Sequence, residues 1–74
     1  MNEAETRAAL TNVHSPKLYA LRAAIPKMRT TELIGLIVHP EILVDMLDED
    51  ASSAYGAAAL LAITDEIDRR IPVP

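Results

Sequence analysis

No cysteine, phenylalanine or tryptophan occurs in this chain of 74 residues. Any core it forms must be filled by slender aliphatic side chains: nine Leu, seven Ile, four Val and twelve Ala, with Tyr19 and Tyr55 as the only aromatic residues. Such side chains fill space only when backbones lie close together. Alanine, the best helix former, permits that approach between helices. The missing cysteines also exclude disulfides and thiolate metal sites. A domain of this size buries only about 60% of the surface its unfolded chain exposes. Small domains offset that deficit with disulfides, a structural metal, close packing or association with another chain. Here close packing and association are the routes that remain. With 50% of its residues apolar, the chain is not a disordered segment.

Helix signals recur along the chain. Asn2 followed by Glu5 has the spacing of a capping box, and Glu3 with Arg7 forms an i,i+4 pair. This predicts a first helix over residues 3–12 that presents Thr6, Leu10 and Val13 on one side. Ser15-Pro16 starts a second, with serine as N-cap and proline at the first helical position. It runs to about Ile25, with Leu18, Leu21 and Ile25 on one face, and Pro26 stops it. Thr30-Thr31-Glu32 opens a third segment whose run Leu33–Val38 reads equally as a buried strand or a helix. Helix is favoured, because a lone strand has no partner elsewhere in the chain. His39-Pro40 kinks or restarts the chain into a fourth segment. There Ile42, Leu43, Met46 and Leu47 take the apolar side, and Glu41, Asp45 and Asp48 gather opposite.

The fifth helix is expected over about residues 51–70. Leu60, Ile63, Ile67 and Ile71 form an apolar stripe at spacings of three and four. Between Ala54 and Ile63 every residue except Gly56 is apolar, so Tyr55, Ala58 and Ala62 lie opposite that stripe. A helix that is apolar all round is normally covered on both sides. In so short a chain, the second cover is expected from another molecule. The fold class that follows is all-α: a compact bundle of four to five short helices with a long C-terminal helix, forming one domain over 1–74, with 72–74 an extended tail. Residues 1–7 carry two glutamates and no apolar run, so no secretory signal is expected. The apolar stretch 33–47 is too short and too polar to span a bilayer. A cytoplasmic protein that does not engage membranes is the expectation, with which the lack of cysteine agrees.

The formal net charge of −4 conceals a segregation. From Arg7 to Thr31 the charged residues are Arg7, Lys17, Arg22, Lys27 and Arg29, all basic. From Glu32 to Asp68 there are nine acids and no base. These halves either pair within the fold or across a dimer, or Glu41, Asp45, Asp48, Glu49 and Asp50 form an acidic patch that selects a basic partner. A helix-turn-helix fails on its second helix, because residues 33–38 offer no donors to bases or phosphates. Phosphate contact through Lys17, Arg22, Lys27 and Arg29 remains as the basis of a rival reading. His14 and His39 lie in different segments without the spacing of paired metal ligands. Ser15, Ser52 and Ser53 look like helix caps, and none sits in a nucleophile elbow. Asp65, Glu66 and Asp68 could imitate a carboxylate cluster, but Asp65 and Asp68 lie beside Arg69 on a helix surface, and acid–base work needs a formed pocket.

The expectation is therefore a non-enzymatic protein-binding module, an accessory or inhibitory regulator that self-associates and needs no cofactor or metal. Tyr55, Ala58, Leu61 and Ala62 are the expected contact residues, with Asp48, Glu49 and Asp50 at the rim. The alternatives are a small nucleic-acid-associated protein using the basic segment 7–29, and a constitutive small subunit of a larger assembly.

Overall fold

Prolines and cap residues cut the chain into short pieces. A computed structural model describes residues 2–13, 15–48 and 53–71. It contains helices α1 (Glu3–Thr11), α2 (Pro16–Ala24), α3 (Thr30–Val38), α4 (Pro40–Leu47) and α5 (Ser53–Arg70), with a 3-10 turn at Ile25–Lys27. The fold is an all-α bundle with a long C-terminal helix, and no strand occurs among the described residues. No helix among them is long and apolar enough to cross a membrane.

The boundaries follow local hydrogen bonding. Asn2 Oδ1 accepts from the Glu5 N–H at 2.8 Å, and Ser15 Oγ accepts from the Leu18 N–H at 3.0 Å. Both satisfy amide donors that a first helical turn leaves without partners. The α2 helix ends at Ala24 with Ile25 as its C-cap, ahead of Pro26 as expected. The backbone tightens there, and the Met28 N–H donates to the Ile25 carbonyl at 3.1 Å. Residues 33–38 are helical, begun by Glu32 Oε1 accepting from the Arg29 N–H at 3.0 Å. The expected break falls at His39, whose φ of −121° and ψ of 73° leave the helical region. Its N–H closes α3 on the Gly35 carbonyl at 2.9 Å, and its own carbonyl accepts the Ile42 N–H at 3.0 Å to open α4. Beyond α4, Asp48 takes a φ of +53°, a sign usually left to glycine.

Every other helix, and the 3-10 turn, packs on α5. The buried core comprises Leu18, Leu21, Ile25, Leu33, Leu36, Leu43, Leu47, Ala58, Ala59 and Ile63. The predicted α2 face is thus buried in full. The α5 stripe holds only in its middle: Ile63 is sealed, Leu60 and Ile67 are half-buried, and Ile71 lies past the end of α5 and is exposed. On α4 only Leu43 and Leu47 are buried, while Ile42 and Met46, also expected inside, are exposed. The largest correction concerns Ala58. It was expected on a face left open by the monomer, yet it is 1% exposed and Ala59 is fully buried. The reason is α5's central position: the second cover comes from this chain's own helices. The expected start at residues 51–52 and the tail 72–74 lie outside the described residues.

At the far end of α5 sits a buried carboxylate. Glu66 is buried to 8% exposure, and Arg69 and Arg70 both donate to it, Arg70 Nε at 2.7 Å. Arg70 also donates to Thr30 Oγ1 at 3.1 Å and to the Ile25 and Pro26 carbonyls at 3.2 Å each. One guanidinium therefore joins the end of α5 to the turn after α2 and to the start of α3. The hydrogen bonds from Arg69 and Arg70 hold the Glu66 pKa below the usual glutamate range, against the opposing effect of burial. A carboxyl whose pKa is lower in the folded state stabilises the fold above its unfolded pKa, and that stabilisation is lost as pH falls through the folded value. Wild type is therefore expected to lose thermal stability below the usual glutamate range, and Glu66→Gln to show a shallower acid decline from a lower starting point. Melting curves between pH 7 and pH 2 check this, and identical pH profiles would refute it.

Burial also settles how substitutions in α5 should behave. Ile63→Asp and Ala58→Asp each place an unpaired carboxylate in the core. That costs several kcal/mol, against a total stability of about 5–15 kcal/mol for a small domain. Both variants are expected to lose helical circular dichroism at 25 °C, and an Ala58→Asp protein that melts like wild type would contradict the core assignment. Gly35, inside α3, behaves oppositely: a Cβ built there meets nothing within 4 Å. Gly35→Ala should therefore stabilise by about 0.5–1 kcal/mol through helix propensity, seen as a melting point raised by a few degrees.

Candidate binding surface

The expected contact residues do not form an open face. Tyr55, Leu61 and Ala62 are half-buried, and Tyr55 and Ala62 pack against the core that contains Ala58. Ala58, Leu61 and Ala62 line a cleft of about 280 Å³ with Thr11, Arg22 and Asp65. The charged groups of that cleft are engaged in holding α1. Arg7 Nη1 donates to both Asp65 oxygens, at 2.7 and 3.0 Å, rather than to Glu3. That hydrogen bond, reinforced by the Asp65 charge, raises the Arg7 pKa above its ordinary value. Arg22 donates to the Val13 carbonyl at 3.0 Å and to the Leu10 carbonyl at 3.2 Å, and so caps the end of α1. No residue of α1 is buried, so these polar links and the half-buried Leu10 hold it in place. Of the expected acidic rim, Asp48 is exposed and receives Lys17 Nζ at 2.7 Å, whereas Glu49 and Asp50 lie outside the described residues.

An open apolar surface exists elsewhere. On α3, Leu33 and Leu36 face the core while Ile34, Ile37 and Val38 are exposed. On α4, Leu43 and Leu47 face the core while Ile42, Val44 and Met46 are exposed. These six side chains keep between 41% and 63% of their surface in contact with solvent. Scattered exposed aliphatics are ordinary, but three on each of two consecutive short helices are a concentrated excess. No lysine or arginine lies between Thr30 and Asp48, and the exposed charges there are Glu32, Glu41, Asp45 and Asp48. His39 Nδ1 lies 3.3 Å from Glu41 Oε1 at the junction of the two helices. The signal for this surface was available in the sequence. The all-round apolar character found between residues 54 and 63 applies equally to 33–38, and on α3 Ile34, Ile37 and Val38 are exposed.

Between α2 and α4 runs a groove of about 340 Å³, lined by Lys17, Ala20, Leu21 and Ala24 on one side and Met46 on the other. The Lys17–Asp48 pair, 2.7 Å apart, sets the start of α2 against the end of α4. Ile42 lies one turn before Met46 on the same side of α4. Elsewhere, hydroxyls serve helix geometry: Thr11 Oγ1 donates to the Ala8 carbonyl, and Thr64 Oγ1 to the Leu60 carbonyl. Among the described residues no three His, Cys, Asp or Glu side chains converge as a metal site would require. Lys17 and Arg22, two of the four bases considered for phosphate contact, make intramolecular bonds to Asp48 and to the end of α1. Set against known families, curated proteins and solved structures, the chain matches none of them.

Proposed function

We propose that this chain is a non-enzymatic protein-binding module, an accessory or inhibitory regulator, whose contact face is the outer surface of α3 and α4. The observation that carries the reading is the exposure of six large apolar side chains, Ile34, Ile37, Val38, Ile42, Val44 and Met46, on two consecutive helices. Each large aliphatic side chain left in water forgoes roughly 1.5–3 kcal/mol that full burial would provide. In a chain with a thin stability margin, six such residues on two adjoining helices are accounted for by a partner that covers them. Pairing this face with itself would set acids only against acids, since Glu32, Glu41, Asp45 and Asp48 are the exposed charges between Thr30 and Asp48, and like charges disfavour it. The favoured partner is therefore a different protein, and self-association through this face is the secondary reading.

The test uses two surface substitutions that spare the core, Ile34→Lys and Val38→Lys, combined in one chain. The double variant should keep its helical circular dichroism, because neither position is buried. Affinity capture from the native host is expected to recover one dominant protein with wild type, and at least tenfold less of it with the double variant. Capture dominated by nucleic acid, or capture of the same protein at equal yield by both chains, would defeat the reading.

A further inference from the structure

We infer that the groove between α2 and α4 receives an amphipathic helix of another protein, with an apolar stripe flanked by lysine or arginine. The inference rests on the binding-module reading and names the chemistry of the partner. The groove's floor and walls are hydrocarbon: Ala20, Leu21 and Ala24 from α2, and Met46 from α4. Its volume, about 340 Å³, suits a few aliphatic side chains presented at i, i+3 and i+4. Leu21 anchors the floor to the core, so the groove is backed by rigid packing rather than by a loop.

Charge selects the occupant. Along α4, Glu41 and Asp45 form an i,i+4 row beside the row of Ile42 and Met46, and both acids are exposed. The one base lining the groove, Lys17, is drawn to Asp48 at 2.7 Å. A helix seated in the groove therefore has the acidic row of Glu41 and Asp45 beside it on the α4 side, where α4 carries no lysine or arginine. An acidic or neutral helix gains nothing there, whereas one carrying Lys or Arg beside its apolar stripe does. A second copy of this chain fits poorly: the stretch from Thr30 to Asp48 has no base, Arg7, Arg22 and Arg70 are engaged within the fold, and the exposed Lys27 and Arg29 lie at the 3-10 turn and before α3 rather than along a helix.

The experiment titrates the full chain with two synthetic helical peptides that share leucines at i, i+3, i+4 and i+7. One carries lysines beside the stripe and the other glutamates at the same positions. Isothermal calorimetry at 50 and 300 mM salt gives affinities, and backbone amide shifts locate the contact. The lysine peptide is expected to bind at least tenfold more tightly than the glutamate peptide, to weaken as salt rises, and to shift amides around Ala20, Ala24 and Met46. Ala20→Arg, which fills the floor from an exposed position, should abolish binding. Glu41→Lys with Asp45→Lys should reverse the preference between the peptides. Equal binding of both peptides, no change in the reversed-charge variant, or a dimer in analytical ultracentrifugation that shields Met46 would overturn the inference. Failure of the lysine peptide, while host capture still depends on Ile34 and Val38, overturns it without touching the binding-module reading. Groove binding of the peptide by a chain that captures no host protein supports the groove chemistry and removes that reading instead.

Discussion

The packing of α1, α2, α3 and α4 against one side or another of α5 is the constraint on which this fold rests. With no phenylalanine or tryptophan available, the bundle centre cannot be filled by reaching across a wide gap. It is closed by bringing backbones together, and Ala58 and Ala59 are where that happens. Their burial to 1% and 0% exposure shows how completely the neighbours approach α5 at that level. Six leucines, Ile25 and Ile63 then fill the remaining space. A core without large plates depends on the fit of many small parts, and interiors lose dispersion energy quickly when gaps open.

Hydrophobic contact alone leaves the ends of so small a bundle poorly fixed, and two arginine centres complete it. Arg70 ties the last turn of α5 to Thr30 and to the carbonyls of Ile25 and Pro26, with Glu66 fixing its position. Arg22 performs the corresponding task for α1, whose terminal carbonyls it caps from α2. The two centres differ in what lies beneath them. Glu66 and Arg70 sit over a turn containing the buried Ile25, whereas α1 contributes no buried residue. Segments with few buried apolar contacts open at lower free energy, so α1 is the part of the bundle most readily detached.

Much of this architecture was legible because it depends on local chemistry. Ser15-Pro16 and His39-Pro40 mark helix boundaries through a side-chain acceptor and a missing backbone donor, and the structure places boundaries at both. The face of Leu18, Leu21 and Ile25 follows from 3.6-residue periodicity, and it is buried. Periodicity failed where tertiary position decides. Ile42 and Met46 flank Leu43 and Leu47 on one apolar side of α4, yet only the leucines are buried. Ala58 lies opposite a good apolar stripe, yet a central helix has no outer side at that level. The Glu66–Arg70 clamp was illegible for the same reason. An i,i+4 pair near a helix end reads as a solvated salt bridge, and nothing local reveals that Thr30 and Pro26 arrive over it. The open apolar face was expected on α5, yet the same rule applies to α3, where Ile34, Ile37 and Val38 are exposed.

The chemistry of what is inside and outside carries the argument one step further. Leucines dominate the core, whereas the exposed aliphatics of α3 and α4 are, apart from Met46, β-branched: Ile34, Ile37, Val38, Ile42 and Val44. In a helix, β-branched side chains lower propensity slightly because their χ1 angle is confined against the preceding turn. On an exposed surface that is a cost with no return inside the monomer. It becomes an advantage when a surface is to be covered, since a side chain already held in one rotamer has little conformational entropy left to lose. A face of isoleucine and valine on two short helices, backed by the buried Leu33, Leu36, Leu43 and Leu47, is thus rigid before any partner arrives. On the proposed reading, the residues that weaken α3 and α4 as isolated helices are those that prepare them for contact. The exposed acids Glu41 and Asp45 beside them then restrict which partner that contact admits.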